Sequence, residues 1–193
     1  MNPSSLDLLD QRRSVPSRQL GAPGPDAATL RRMLASAVRV PDHGKLVPFR
    51  FLHIHGDARQ ALGDALAERT RARDPHAPEA AVEKDRGRFS HAPDIITVIA
   101  RLVPGHKVPE QEQLLTAGSV CFALLQAAQA LGFGAQWLTG WMAYDEAVER
   151  LLGLEENERI VGFIHIGTAR MEAPERERPD VDALLSQWRP DAR

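Results

Sequence analysis

The strongest constraint on how this chain can fold is one apolar stretch, residues 114–131, inside a helical run over 110–131. Leucine, alanine, valine, cysteine and phenylalanine cover most of that helix's circumference, so a narrow buried stripe does not account for it. Such a helix has to be central, either inside the core or at a subunit interface. Its length approaches that of a membrane span. Thr116, Ser119, Gln126 and Gln129 interrupt the run, however, so a buried helix is expected and no membrane association.

Around this helix the pattern alternates between strand and helix. Crowded bulky residues over 49–55 suit a strand. The run Asp94-Ile95-Ile96-Thr97-Val98-Ile99-Ala100 is β-branched and continuous, as in a strand buried on both faces. Residues 135–139 and 160–167 read as further strands. A first helix is expected from a Ser4 or Ser5 cap to about Arg12, and a second, opened by the turn at 21–26, carries Leu30, Met33, Leu34, Ala37 and Val38 on one face. Amphipathic helices follow over 57–73 and 144–152, the latter closed by Gly153. The most polar stretch, 74–91, predicts a mobile loop or a short surface helix. With 193 residues the expectation is a single domain over 1–193, of α+β or three-layer α/β/α class. Residues 171–193 form a polar C-terminal arm whose apolar end, Leu184, Leu185 and Trp188, suggests docking on another surface. Pattern alone leaves the topology open.

Composition narrows the function. A formal net charge of −2 excludes the basic field of a nucleic-acid binder, and 43% hydrophobic residues exclude a disordered chain. The one cysteine, Cys121, lies inside the apolar helix and reads as a small hydrophobe, which points to a reducing, cytoplasmic setting. The first seven residues show no basic start followed by an apolar core, so no signal peptide is expected.

Two segments are suited to holding an anion. Arg12-Arg13-Ser14 places two guanidinium groups and a hydroxyl at the end of the first helix, and guanidinium forks match phosphate oxygens. The segment 39–51 puts Arg39, His43 and Lys45 around a rigid turn just before a strand. Other chemistries fit less well. Asp42 and His43 lack further ligands at metal-binding spacing, so no metal is expected, and His53, His55 and His165 read as satisfied structural residues. No Gly-x-Ser-x-Gly elbow occurs. Gly132-Phe133-Gly134 follows a helix, the wrong order for a dinucleotide cradle, and reads as a helix stop. In Trp137-Leu138-Thr139-Gly140-Trp141 the indoles suit either a flat aromatic ligand or the core.

Taken in order, these segments, with Pro48-Phe-x-Phe51, Gly105-His-Lys-Val-Pro109, Thr116-Ala-Gly-Ser119 and Ile160-Val-Gly-Phe-Ile-His-Ile-Gly-Thr168, resemble the minimal-length nitroreductases over roughly residues 5–170. The resemblance implies an α+β fold with a central, mostly antiparallel sheet flanked by helices and the 110–131 helix at the core of a homodimer. It implies FMN at the subunit interface, with Arg12, Arg13 and Ser14 from one subunit and Arg39 and His43 from the other. Trp137, Leu138 and Thr139 lie beside the ring on that reading, Gly167 and Thr168 at a phosphate-side turn, and Ala127, Ala128, Gln129, Ala130, Leu131 and Gly132 near the nicotinamide of NADH or NADPH. Either Arg13 or Lys45 supplies positive charge at the pyrimidine end of the ring. The implied activity is hydride transfer through FMN to a nitroaromatic, quinone or other electrophilic acceptor. Alternatives of the same fold are an FMN-binding sensor or carrier and an enzyme that modifies flavin or a halogenated ring. Val47 and Leu138 stand where many relatives carry glutamine and arginine, which leaves the acceptor class open.

Overall fold

The fold follows from where the β-branched run at 94–101 can go. In the computed structural model, which describes residues 5–190, strand β3 (Asp94–Arg101) is interior, between β2 (Phe49–His55) and β5 (Glu158–Ala169). All its ladders are antiparallel, with Phe51 opposite Val98 and Thr97 opposite Phe163. Strand β4 (Gly134–Leu138) takes the other edge of β5, pairing Trp137 with Ile164, and the two-residue β1 (Leu20–Gly21) pairs with the end of β5. Ile95, Ile96, Val98 and Ile99 have no solvent exposure, so two-sided burial, worth about 2 kcal/mol for each large aliphatic, fixes β3 at the centre.

Helices cover both faces. On one, α2 (Ala27–Ala37) and α5 (Glu110–Ala130) pack Met33, Val120, Cys121 and Leu124 against Ile96, Val98, Ile164 and Ile166. Burial pushes the Cys121 thiol up to about 12, consistent with its role as a small apolar group. On the other lie α3 (Asp57–Arg73), α4 (Glu79–Arg86) and α6 (Glu146–Leu151); α3 and α6 bring Leu62, Leu66 and Val148, and the 3-10 turn Trp141–Tyr144 brings Met142, onto Ile54, Ile95 and Phe163. Asp26 caps α2 by accepting a 2.7 Å bond from the Thr29 amide, and Asp145 caps α6 while gripped by Arg69 at 2.9 Å. None of the described helices is long and apolar enough to cross a membrane.

Two sequence expectations change. The first helix, α1 (Ser5–Asp10), stops before Arg12, so Arg12–Ser14 is extended chain; the Ser4 cap lies outside the described residues. Segment 74–91 is neither a mobile loop nor a purely surface helix. Helix α4 continues into a 3-10 turn (Gly87–Phe89) and buries Val82, Asp85 and Phe89, because Gly63 of α3, lacking a Cβ, lets the Arg86 carbonyl come close. Beyond Ala169 the arm carries one short helix, α7 (Val181–Leu184); Ala173 is buried, whereas Leu184, Leu185 and Trp188 are exposed, Trp188 by 86%.

Candidate functional site

The two anion-seeking segments sit at opposite ends of α5. Near its C-terminal end the chain from Arg12 to Arg18 runs beside β4, with the Val15 amide donating to the Ala135 carbonyl at 3.1 Å and the Ser17 amide to Gln136 Oε1 at 2.5 Å. Gln129 fastens this segment: its Oε1 accepts from the Arg13 amide (3.3 Å) and its Nε2 donates to the Leu8 carbonyl (3.0 Å). Arg12 Nη1 donates to Ser14 Oγ at 3.2 Å. Arg13 Nη1 donates to the Asp10 carbonyl at 2.8 Å, and its Nη2 pairs with Glu175 of the arm. Burial, and then the positive charges of Arg178, Arg13 and Arg176, hold the Arg12 guanidinium below its usual pKa.

At the N-terminal end of α5 lies the 39–48 loop. Asp42 accepts from the Leu46 and Val47 amides (3.2 and 2.8 Å), and Thr116 of α5 donates to the Pro41 carbonyl at 3.2 Å. That clamp holds Gly44, Lys45 and Val47 at φ of 71°, 55° and 51°. A positive φ is unfavourable for Lys45 and more so for the β-branched Val47, the kind of strain that gathers at ligand-binding turns. Arg39, His43 and Lys45 are exposed, and His43 Nδ1 lies 2.6 Å from Glu112. Seventeen residues of helix separate Glu112 from Gln129, about 25 Å at 1.5 Å per residue. One chain therefore does not bring Arg39, His43 and Lys45 together with Arg12, Arg13 and Ser14.

Between β4, β5 and the α4 turn lies a cleft of about 510 Å³. Leu138 and Thr139 line it, as do Ser17, Arg18, Lys84, Arg88, His91 and His165, none of which the sequence singled out as ligand-facing. Arg88 is positioned by Asp85 at 2.5 Å, and Asp85 is itself held by Thr70 Oγ1 (2.8 Å) and the Trp141 indole N–H (3.1 Å). Burial alone raises the Asp85 carboxyl, but the bonds from Arg88 and Thr70 outweigh it and leave the group below the usual range. His165 stacks on Phe89 at 5.4 Å, and burial with nearby His91 pushes its pKa down to about 4, so it is neutral at pH 7. Its Nδ1 is buried with no hydrogen-bond partner among the described residues, which corrects the expectation of a satisfied structural histidine. The other two behave as expected: His53 meets Asp94 at 2.8 Å and stacks on His55.

Several expected positions also make contacts within the scaffold. Trp137 turns its indole N–H to the Val161 carbonyl at 3.1 Å and lies over Gly162, where any Cβ would collide with the ring. Gly167 packs under Pro93 and the Gly21 carbonyl, and Thr168 Oγ1 donates to the Pro23 carbonyl at 2.7 Å, so both hold the β1 turn. Ala127 and Ala128 are buried in the core and Gln129 is committed to its two bonds, while Ala130, Leu131 and Gly132 are exposed. Arg13 is tied to the arm, and Lys45 belongs to the distant loop. Arg18, Lys84 and Arg88 line the cleft together with Glu83. Their only sequence signal was Lys84 and Arg88 at i, i+4, hidden in a generally charged stretch.

Comparison with known proteins establishes the family and the fold. The model of the Nitroreductase family matches residues 9–168. The chain is 35% identical over 169 residues to the Escherichia coli K12 protein named "Putative NAD(P)H nitroreductase YdjA", covering 88% of this chain and 90% of that one. It is 35% identical over 179 residues to a Haemophilus influenzae protein named "Putative NAD(P)H nitroreductase", covering 92% and 95%. The fold matches a nitroreductase-like family protein of Bacillus cereus with a TM-score of 0.81 at 24% identity, covering 97% of both chains. It also matches a Desulfovibrio desulfuricans protein solved with FMN, TM-score 0.74 at 22% identity, over 98% of this chain and all of that one. This chain belongs to the nitroreductase family.

Proposed function

We propose that two copies of this chain form a homodimer that binds FMN at each of two shared sites and passes hydride from NADH or NADPH to a nitroaromatic, quinone or other electrophilic acceptor. The observation that carries this reading is the roughly 25 Å between the two basic segments along α5, a span one cofactor head does not bridge within a single chain. Leu115, Gly118 and Phe122 form an outward stripe on α5, with Leu115 62% and Phe122 46% exposed. Antiparallel pairing through that stripe brings the Glu112 end of one helix to the Gln129 end of its partner.

The chain's own groups fit FMN. Arg12 with Ser14 offers a cation and a hydroxyl in a surplus of positive charge, as a phosphate monoester requires. The segment that carries them ends at Ser17 and Arg18 in the cleft, where Leu138 and Thr139 present the end of β4. FMN when bound supplies the hydride chemistry; the protein orients it and sets the field around it. Arg18, Lys84 and Arg88 outnumber Glu83 in the lining of the cleft, and net positive charge there favours the reduced, anionic ring, while the apolar Phe89, Met142 and Phe163 limit water. Relatives named as NAD(P)H nitroreductases and a fold relative holding FMN support the same donor and cofactor.

The test is direct. Purified protein should be yellow, dimeric and bleached by NADH or NADPH without oxygen, and regain colour with a nitroaromatic or quinone. Colourless protein that takes up no FMN overturns the proposal. A second reading, a flavin carrier without turnover, draws on the apolar Val47 and Leu138 beside the binding segments; rapid bleaching in stopped flow eliminates it.

A further inference from the structure

Beside the cleft sits a carboxylate that the proposed chemistry does not use. Asp85 is only 6% exposed, and a charge so buried is costly unless donors surround it. Three donors from separate elements do so. Thr70 Oγ1 of α3 and the Trp141 indole N–H both donate to Oδ2, at 2.8 and 3.1 Å, while Arg88 Nε donates to Oδ1. Arg73 of α3 lies over the Trp141 ring at 4.3 Å and holds the indole by its face. Arg88 is gripped along one edge only. Its two Nη groups make no hydrogen bond among the described residues, and its side chain is 32% exposed. Nη1 stands by the Thr139–Gly140 turn, 3.8 Å from where a Cβ on Gly140 would lie.

We propose that Asp85 is a positioning residue: it sets the free fork of Arg88 at the Thr139 side of the cleft, where that charge favours the reduced over the oxidised form of the bound cofactor, an inference that rests on the flavin reading for the cofactor's identity. The donor pattern explains why a carboxylate stands there. The Trp141 and Arg88 N–H groups can only donate and meet opposite oxygens, so an amide at position 85 would turn its NH2 toward one of them. Packing alone does not require the charge, because apolar residues of similar volume often replace a buried ion pair without loss of stability. Two opposed effects make the role testable. Removing the Asp85 charge by itself favours the reduced, electron-rich ring, whereas releasing Arg88 disfavours it.

Redox titration of the FMN-loaded, full-length protein tells these effects apart. Arg88→Gln should weaken reduced FMN about tenfold relative to oxidised FMN, a midpoint lower by about 30 mV for two electrons. Asp85→Asn should lower the midpoint too, against the effect of its own lost charge. Thr70→Val combined with Trp141→Phe alters no charge and should shift it in the same direction, which keeps the test open if Asp85→Asn does not fold. A midpoint that rises or stays at the wild-type value in Asp85→Asn, or stays there in the Thr70→Val, Trp141→Phe protein, overturns the proposal, since a purely structural carboxylate affects unfolding and not the potential. In the flavin-free protein, NMR should find the Arg88 Nε–H protected from solvent exchange and the protection lost in Asp85→Asn; an unprotected wild-type signal also overturns it. Wild-type protein that keeps this protection but takes up no FMN overturns the flavin reading, and the redox role with it, while the Asp85–Arg88 contact stands.

Discussion

The two ends of α5 hold their basic residues in opposite ways. At the C-terminal end Arg12, Arg13 and Ser14 are fastened from several sides, by Gln129, by β4 and by Glu175 of the arm. At the N-terminal end Arg39, His43 and Lys45 project from a loop whose backbone is clamped by Asp42 while its side chains stay in solvent. One end is packed from several sides; the other has a rigid backbone frame and leaves its basic side chains in solvent. On the proposed dimer reading the difference means that the site is divided, each subunit building a seat and, about 25 Å away, a lid for its neighbour's seat.

The largest effect should come from separating the ends. Leu115→Asp sets a charge in the exposed apolar stripe of α5, and we expect a monomer that retains no FMN; sedimentation velocity and absorbance at visible wavelengths check both. A dimer that stays yellow breaks the comparison. Next, a mixed dimer of Arg12→Ala and His43→Ala subunits concentrates both lesions in one site and leaves the other intact. It should bind one FMN per dimer, whereas each parent homodimer binds about tenfold more weakly at both sites. Equal weakening of both sites in the mixed dimer shows that seat and lid belong to one subunit.

The cleft floor offers a control belonging to neither end. His165 has a pKa of about 4 in the folded chain against 6.5 unfolded, so the unfolded state takes up the proton first. Stability should therefore be complete above about pH 6.5 and fall by about 3 kcal/mol as pH drops toward 4. Urea unfolding at fixed protein concentration measures this, and His165→Phe should flatten that portion of the profile. The smallest effects compare the ends residue by residue. Gln129→Ala should cost about 1–2 kcal/mol by releasing two bonds to the main chain, whereas Glu112→Ala, which loses one exposed pair, should cost less than about 0.5 kcal/mol. Similar costs at both ends would contradict the contrast drawn above.

Much of the frame was legible in sequence because it is periodic. The run at 94–101 announces an interior strand, the charged amphipathic stretch at 57–73 matches α3 end to end, and the circumference of 110–131 identifies α5 as central. The Arg12-Arg13-Ser14 and 39–48 segments were visible as basic, constrained pieces, and the family likeness joined them. The cleft was not visible. Arg18, Lys84, Arg88, His91 and His165 come from three separate stretches, and each alone resembles a surface charge or a core histidine. Nor did polarity reveal that 79–89 packs down, since only Val82, Asp85 and Phe89 face inward and Gly63 on another helix makes room for them.

The sequence by itself determined the elements and their burial, because hydrophobic period and turn chemistry act between residues a few positions apart. Tertiary structure alone decided which cations share a cavity, that Trp137 serves the scaffold over Gly162, and that the arm returns to Arg13 through Glu175. Those outcomes depend on distances between segments far apart in the chain, and such distances are set only when the antiparallel sheet closes and its helices pack.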